Sequence, residues 1–160
     1  MIIRAEDLVP EGVQIALPLE IEPLRFDADE AIRVEGLVIT GRVAPCRGGL
    51  SFRGRLTGRA ELACARCLRS FTMDLDRSFD VTYSLKAPSV KDYQIPDEDL
   101  DCAFLEEGGV LDLRQVATEQ IYLELPMKPL CSPGCRGLCA RCGGDLNTGT
   151  CRCEEIRSTY

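Results

Sequence analysis

The chain has 160 residues, 45% of them apolar, with ten cysteines, no histidine and a formal charge of −7. That length makes one ordinary domain with at most a small appendage, and enough apolar surface for a real core, so the cysteines are not there to rescue a miniature fold. The charge argues against wholesale coating of nucleic acid, and the lack of histidine excludes Ser–His and Cys–His catalytic pairs.

The first residues, Met1 to Asp7, turn acidic at once and do not read as a signal peptide. No stretch reaches the apolar length needed to span a bilayer. The expected location is the cytoplasm, where thiols stay reduced and a disulfide framework is the minor reading. Residues 13–17 form a short apolar run ended by Pro18, and residues 33–43 are β-branched and partly alternating. Gly48-Gly49 signals a turn. After it, Leu50, Phe52, Leu56, Ala60 and Leu62 keep a period of two, with Arg53, Arg55 and Arg59 on the other parity. Such alternation predicts a half-buried strand whose outer face is arginine. Phe71, Met73 and Leu75 alternate next, then Phe79, Val81, Tyr83 and Leu85. Short strands separated by turns predict an antiparallel sheet or a small barrel.

Residues 86–109 are polar, acidic and Pro/Gly-containing, and read as a long loop. A helix is expected over 111–125. Asp112 would be its N-cap with Gln115 three residues on, Leu113, Val116, Ala117, Ile121 and Leu125 would line one face, and Pro126 stops it. The predicted fold is therefore α+β. A β-rich unit over 1–129 carries one main helix, and a cysteine-rich, zinc-ribbon-like tail over 130–160 docks on it.

Eight of the ten cysteines come in close pairs: Cys64 with Cys67, Cys131 with Cys135, Cys139 with Cys142, and Cys151 with Cys153. Close pairs signal a metal or redox centre. Soft all-thiolate donors select zinc or an iron–sulfur cluster, and tetrahedral structural zinc fits best. A free-energy scale of about 10–16 kcal/mol per ion would order a tail so poor in apolar residues. The preferred grouping leaves no pair unsatisfied. It puts Cys64, Cys67, Cys131 and Cys135 on one ion and Cys139, Cys142, Cys151 and Cys153 on a second. The competing grouping gathers Cys131, Cys135, Cys139 and Cys142, leaving Cys64–Cys67 distant and Cys151–Cys153 loose. Cys46 and Cys102 have no close partner and read as small buried hydrophobes. A thioredoxin-like pair would need a helix start in a βαβ context, which Cys64–Cys67 lacks. The Cys151-Arg152-Cys153 spacing is awkward for ferredoxin patterns.

Cys64-Ala65-Arg66-Cys67-Leu68 after an alternating strand, the acidic loop, the helix ending in Leu125-Pro126-Met127, and the tail Cys131 … Cys135-Arg136-Gly137-Leu138-Cys139-Ala140-Arg141-Cys142-Gly143 … Leu146-Asn147 … Cys151-Arg152-Cys153 together resemble the YceD family, also called the large ribosomal RNA subunit accumulation protein family. The resemblance runs from about Leu17 to Glu154. Some members lack the second cysteine set while keeping counterparts of Cys64 and Cys67, which implies two separable sites. The resemblance also implies a role in synthesis, processing or accumulation of the large-subunit rRNA.

The residues themselves point to binding. From Arg47 to Arg69 there are six arginines against Glu61, and from Asp92 to Glu107 seven acids and no base. Arg53, Arg55 and Arg59, with Arg66 and Arg69 beside the first cysteine pair, form a candidate phosphate-contacting face. The alternative is that these arginines only solvate a strand. No phosphate-cradling Gly-Lys-Thr motif occurs, and eight cysteines fill two closed sites with no open catalytic position. The expectation is a non-enzymatic factor with two structural zinc ions. It would bind large-subunit rRNA or a pre-ribosomal particle, with a ribosomal protein as a further candidate partner. The alternatives are a zinc-stapled adaptor using the acidic segment 92–107 as its docking strip, and a cysteine-based redox or metal-handling protein.

Overall fold

Period-two patterning in the middle of the chain becomes a meander of three long antiparallel strands. The structure, a computed structural model, describes residues 2–27, 30–85, 102–105, 108–149, 151 and 153. The acidic segment 92–107 lies largely outside these residues. In chain order the strands are β1 (Ile2–Arg4), β2 (Val13–Pro18), β3 (Leu24–Asp27), β4 (Glu30–Cys46), β5 (Gly49–Ala63), β6 (Ser70–Ser84), β7 (Cys102–Phe104) and β8 (Val110–Asp112), followed by the helix α1 (Leu113–Glu124). The main sheet runs β2-β4-β5-β6-β7, with β3 also on β4, while β1 and β8 pair apart from it.

The β4–β5 ladder ends in the turn Arg47-Gly48, where Cys46 faces Gly49 and Gly48 takes φ +85°. The β5–β6 ladder is unbroken from Gly49↔Ser84 to Ala63↔Ser70. On β5, Leu50, Phe52, Leu56, Ala60 and Leu62 point inward and are buried, while Arg53, Arg55 and Arg59 stand exposed on the other face. On β4 the inward parity switches from Ile32 to Leu37 and Ile39. A bulge does this. Gly36 and Leu37 together oppose Gly58, and Gly36 adopts φ +61°, a conformation that glycine takes without a Cβ penalty.

Three features differ from the sequence expectation. The runs 71–75 and 79–85 are one strand, because Arg77 keeps the inward parity between them. Its guanidinium donates to Gln120 Oε1 at 3.0 Å and to Glu124 Oε2 at 3.4 Å on α1, so a charged residue is accommodated on the core-facing side. The sheet is antiparallel except that β7 lies parallel to β6, and it does not close into a barrel among the described residues. The tail forms no named strand among the described residues, only an isolated bridge between Leu138 and Asp145, in a fold that is mostly β with one helix.

Helix α1 lies over the inner face and buries Leu113, Val116, Ala117, Gln120 and Ile121. Asp112 caps it by accepting from the Arg114 backbone N–H at 2.9 Å. Gln115 does not complete a capping box and instead donates to Glu119. The shared core holds Ile39, Leu50, Phe52, Leu56 and Leu75 nearly solvent-free, with Phe52 and Phe79 edge to face at 4.9 Å. A Cβ on Gly54 would meet the Phe79 ring at 2.7 Å, so glycine lets that ring cover the strand. Truncating a residue such as Leu56 to Ala would cost about 2–5 kcal/mol.

Candidate metal centres

The first cysteine pair is the loop of the β5–β6 hairpin. Chain leaves β5 at Ala63 and re-enters β6 at Ser70, so Cys64 to Arg69 must reverse direction within six residues. Cys64 N–H donates to the Arg69 carbonyl at 2.9 Å, and Leu68 N–H to the Cys64 carbonyl at 2.9 Å. Closing this turn puts Leu68 at φ +59°, the one non-glycine with positive φ among the described residues, and its side chain is exposed. The tail repeats the device. Cys139-Ala140-Arg141-Cys142 has the same four residues, Gly143 N–H donates to the Cys139 carbonyl at 2.8 Å, and Gly143 takes φ +70°.

After α1 the chain returns to the hairpin tip. Ala65 N–H donates to the Pro129 carbonyl at 2.7 Å, and Arg66 Nη1 to the Cys135 carbonyl at 2.8 Å. These contacts bring Cys131 and Cys135 against Cys64 and Cys67. The Sγ atoms of Cys64 and Cys135 lie 3.7 Å apart and those of Cys67 and Cys131 3.6 Å apart. All four Sγ atoms lie within 4.8 Å of one another, and three of the four residues are buried. Phe71, Leu130 and Leu138 pack around them. The second group is Cys139, Cys142, Cys151 and Cys153, under the same 4.8 Å limit but with Cys142 exposed and the others half-buried. Its Cys139 and Cys151 sulfurs are 3.3 Å apart.

The donor sets fit a tetrahedral thiolate-bound ion. Zinc–sulfur bonds of about 2.3 Å imply sulfur–sulfur edges of about 3.8 Å, close to the separations in the first group. All ten cysteines are free thiols. Without a cation, four crowded thiols cannot all ionise. Backbone N–H groups, first that of Cys131, lower Cys64 to about 6, while burial and then the Cys67 sulfur push Cys131 up to about 12. In the second group the Cys142 and Arg141 N–H groups lower Cys139 to about 6, and the Cys142 sulfur and burial push Cys153 up to about 12. A dication would offset that repulsion and draw the remaining protons off.

Two residues behind the ligands are not among the candidate site residues of the sequence, although Asn147 belongs to the tail motif that carries the family resemblance. Asn147 Nδ2 donates to Cys135 Sγ at 3.5 Å, and its Oδ1 accepts from the Arg136 N–H at 2.8 Å. Asp145 accepts from the Asn147 backbone at 2.8 Å and pairs with Arg69 at 3.3 Å. Both sit in the loop joining the halves of the second group, yet they brace the first. The Asp-x-Asn spacing of a local side-chain-to-backbone turn is the sequence signal that joins them.

Cys46 is exposed at the end of β4, and Cys102 is half-buried in β7. Neither joins a group among the described residues, but Cys46 is not the buried hydrophobe expected, because it flanks the β4–β5 turn.

The arginines of the sheet are not a bare cationic strip. Arg55 forms a two-pronged pair with Asp76 at 2.6 and 2.5 Å, and Arg53 meets Asp80 at 2.6 Å. Arg59 lies in register between Glu35 and Asp74. Arg33 faces Glu61 in register, whereas Arg42 faces Arg53 and donates to the Glu11 carbonyl. Arg66 and Arg69 lie apart, at the first cysteine turn, where they hold the Cys135 carbonyl and Asp145.

Fold and site together define a largely antiparallel β-sheet protein whose β5–β6 hairpin is joined at its tip to a cysteine-rich tail. The chain belongs to the family described as large ribosomal RNA subunit accumulation protein YceD, which it matches over residues 52–159. A Mycobacterium leprae (strain TN) protein described as uncharacterized is 28% identical over 153 residues, 91% of this chain and 61% of that protein. A Mycobacterium tuberculosis (strain H37Rv) protein, also described as uncharacterized, is 27% identical over 138 residues, 86% of this chain and 54% of that protein. The maize protein named large ribosomal RNA subunit accumulation protein YCED homolog 1, chloroplastic, is 31% identical over 98 residues, 61% of this chain and 25% of its own length. The chain thus spans between half and two thirds of the mycobacterial relatives. No solved structure matches it.

Proposed function

We propose that this protein is a non-enzymatic factor that supports accumulation of the large-subunit rRNA, acting by binding rRNA or a pre-ribosomal particle. The observation that carries the reading is membership of the YceD family over two thirds of the chain. Two four-thiol groups with tetrahedral spacing support structural zinc as the cofactor, with residues 130–160 as a metal-ordered unit on a 1–129 core. Thiol ligation of this kind fits a reducing compartment such as the cytoplasm, and no helix among the described residues is long and apolar enough to cross a membrane.

Depletion of the protein should lower the large-subunit rRNA, and the protein should co-sediment with large-subunit precursors in a ribonuclease-sensitive way. Normal rRNA levels without the protein would sink the reading. The exposed arginines Arg53, Arg55, Arg59, Arg66 and Arg69 are the first cations to test by charge reversal. The neutralised sheet face favours a second reading, a zinc-stapled adaptor that meets a protein partner. Co-sedimentation that survives ribonuclease would select it.

A further inference from the structure

The charges of this chain are segregated. Residues 64–69 and 126–153 together hold six basic residues against Asp145 alone, a formal +5, which leaves −12 on the rest of a chain at −7. Four thiolates on each of two dications would bring that end to about +1, still far from the remainder. The fold brings Arg66, Lys128 and Arg136 to one turn. The Ala65–Pro129 hydrogen bond places Lys128 beside the first cysteine turn. Arg66 holds the Cys135 carbonyl, and Gly137 lies so close to Arg66 that a Cβ there would meet its carbonyl at 3.1 Å, which brings Arg136 to the same turn. Arg141 occupies the same position in the second Cys-Ala-Arg-Cys turn that Arg66 occupies in the first. All four side chains belong to exposed residues, and among the described residues none has an acidic partner.

We propose that the RNA-backbone contact lies at this cysteine end, through Lys128, Arg66, Arg136 and Arg141, and not along the arginine ladder of the sheet. The proposal rests on the rRNA reading above and names the surface that serves it. The physical reason is local compensation. A phosphate approaching Arg53 or Arg55 must displace an aspartate already bound at 2.5–2.6 Å, whereas one approaching Lys128, Arg136 or Arg141 meets no ion-paired carboxylate among the described residues. The two turns are also rigid platforms, each closed by a backbone hydrogen bond and thiol contacts, so their cations need little ordering on binding.

The test is filter binding of the full-length, metal-loaded protein to a large-subunit rRNA transcript over a range of salt. The combined variant Lys128→Gln, Arg136→Gln, Arg141→Gln leaves Arg66 in place, because Arg66 also holds the tail. It should bind at least about tenfold more weakly and lower the slope of log affinity against log salt by about three. Arg141→Gln alone, on an exposed turn, should lower the slope by about one even if the combined variant loses metal. Arg53→Gln with Arg55→Gln should stay within about twofold of the parent. Unchanged slopes in both cysteine-end variants, or a loss confined to the ladder variant, overturn this surface while the rRNA reading stands. A parent protein that retains no transcript at any salt overturns both.

Discussion

The two cysteine groups use the same four-residue turn and the same number of thiols, yet they join very different things. Cys64, Cys67, Cys131 and Cys135 bring together chain segments more than sixty residues apart and are largely buried. Cys139, Cys142, Cys151 and Cys153 close a short local loop and are more exposed. A staple over a long separation governs whether the tail sits on the sheet at all, while a local one governs the shape of a single loop. The difference teaches that identical ligand chemistry can carry unequal structural weight. The weight follows from where the hairpin tip places Cys64 and Cys67.

The largest effect should come from Cys64→Ser. One of two ions should be lost, and backbone amides from Cys135 to Cys139 should lose hydrogen-exchange protection, since a structural ion contributes on the order of 10 kcal/mol. Intact tail protection in that variant would break the comparison. Cys151→Ser should also release one ion while leaving the turn from Cys64 to Arg69 protected. Next comes Asn147→Ala. It removes the N–H donated to Cys135 Sγ without touching a ligand, and metal affinity at the first group should fall by roughly tenfold or more, as for other groups that orient a ligand. The measurement is chelator competition on a cadmium-loaded protein, with the cadmium resonance of the first group shifting and that of the second holding still. Equal shifts at both groups would mean that Asn147 acts on the whole tail.

A smaller effect separates the two turns themselves. Leu68 and Gly143 occupy the same left-handed position, so Gly143→Leu should destabilise the second turn by about 1–2 kcal/mol, while Leu68→Gly should be tolerated. Thermal melts of the metal-loaded protein would read this out. The smallest effect belongs to the sheet. The hydrogen bond from Arg55, and then its charge, holds the Asp76 carboxyl below the usual carboxylate range. A depressed folded pKa means that the contribution is complete above the unfolded pKa and is lost as pH falls through the folded one. The pair is more than half exposed, so screening leaves it weak. Asp76→Asn should lower the melting midpoint slightly at neutral pH, and the difference should vanish in acid.

Much of the fold could be read without coordinates. Apolar residues at every second position of β5 must share a face, and Leu113, Val116, Ala117 and Ile121 must share another at helical spacing. The single β6 strand was not legible, because Arg77 interrupts an apolar run and only Gln120 and Glu124 on the helix show why it can face inward. The expected capping box failed for a similar reason, since the Gln115 side chain found Glu119 instead.

The sequence by itself determined the all-thiolate donor set, the four close cysteine pairs and the family to which they belong. Those depend on residue identity and on spacings of a few residues, which local geometry constrains tightly. Only the tertiary structure decided which pairs meet, because that depends on the hairpin tip and the tail arriving at one place. It also decided that Arg53 and Arg55 on the sheet are bound to aspartates, while Lys128, Arg136 and Arg141 at the cysteine end have no carboxylate partner among the described residues. Side-chain parity tells which face a charge is on, but the register between strands, set by the Gly36 bulge and the two hairpin turns, decides what stands opposite it.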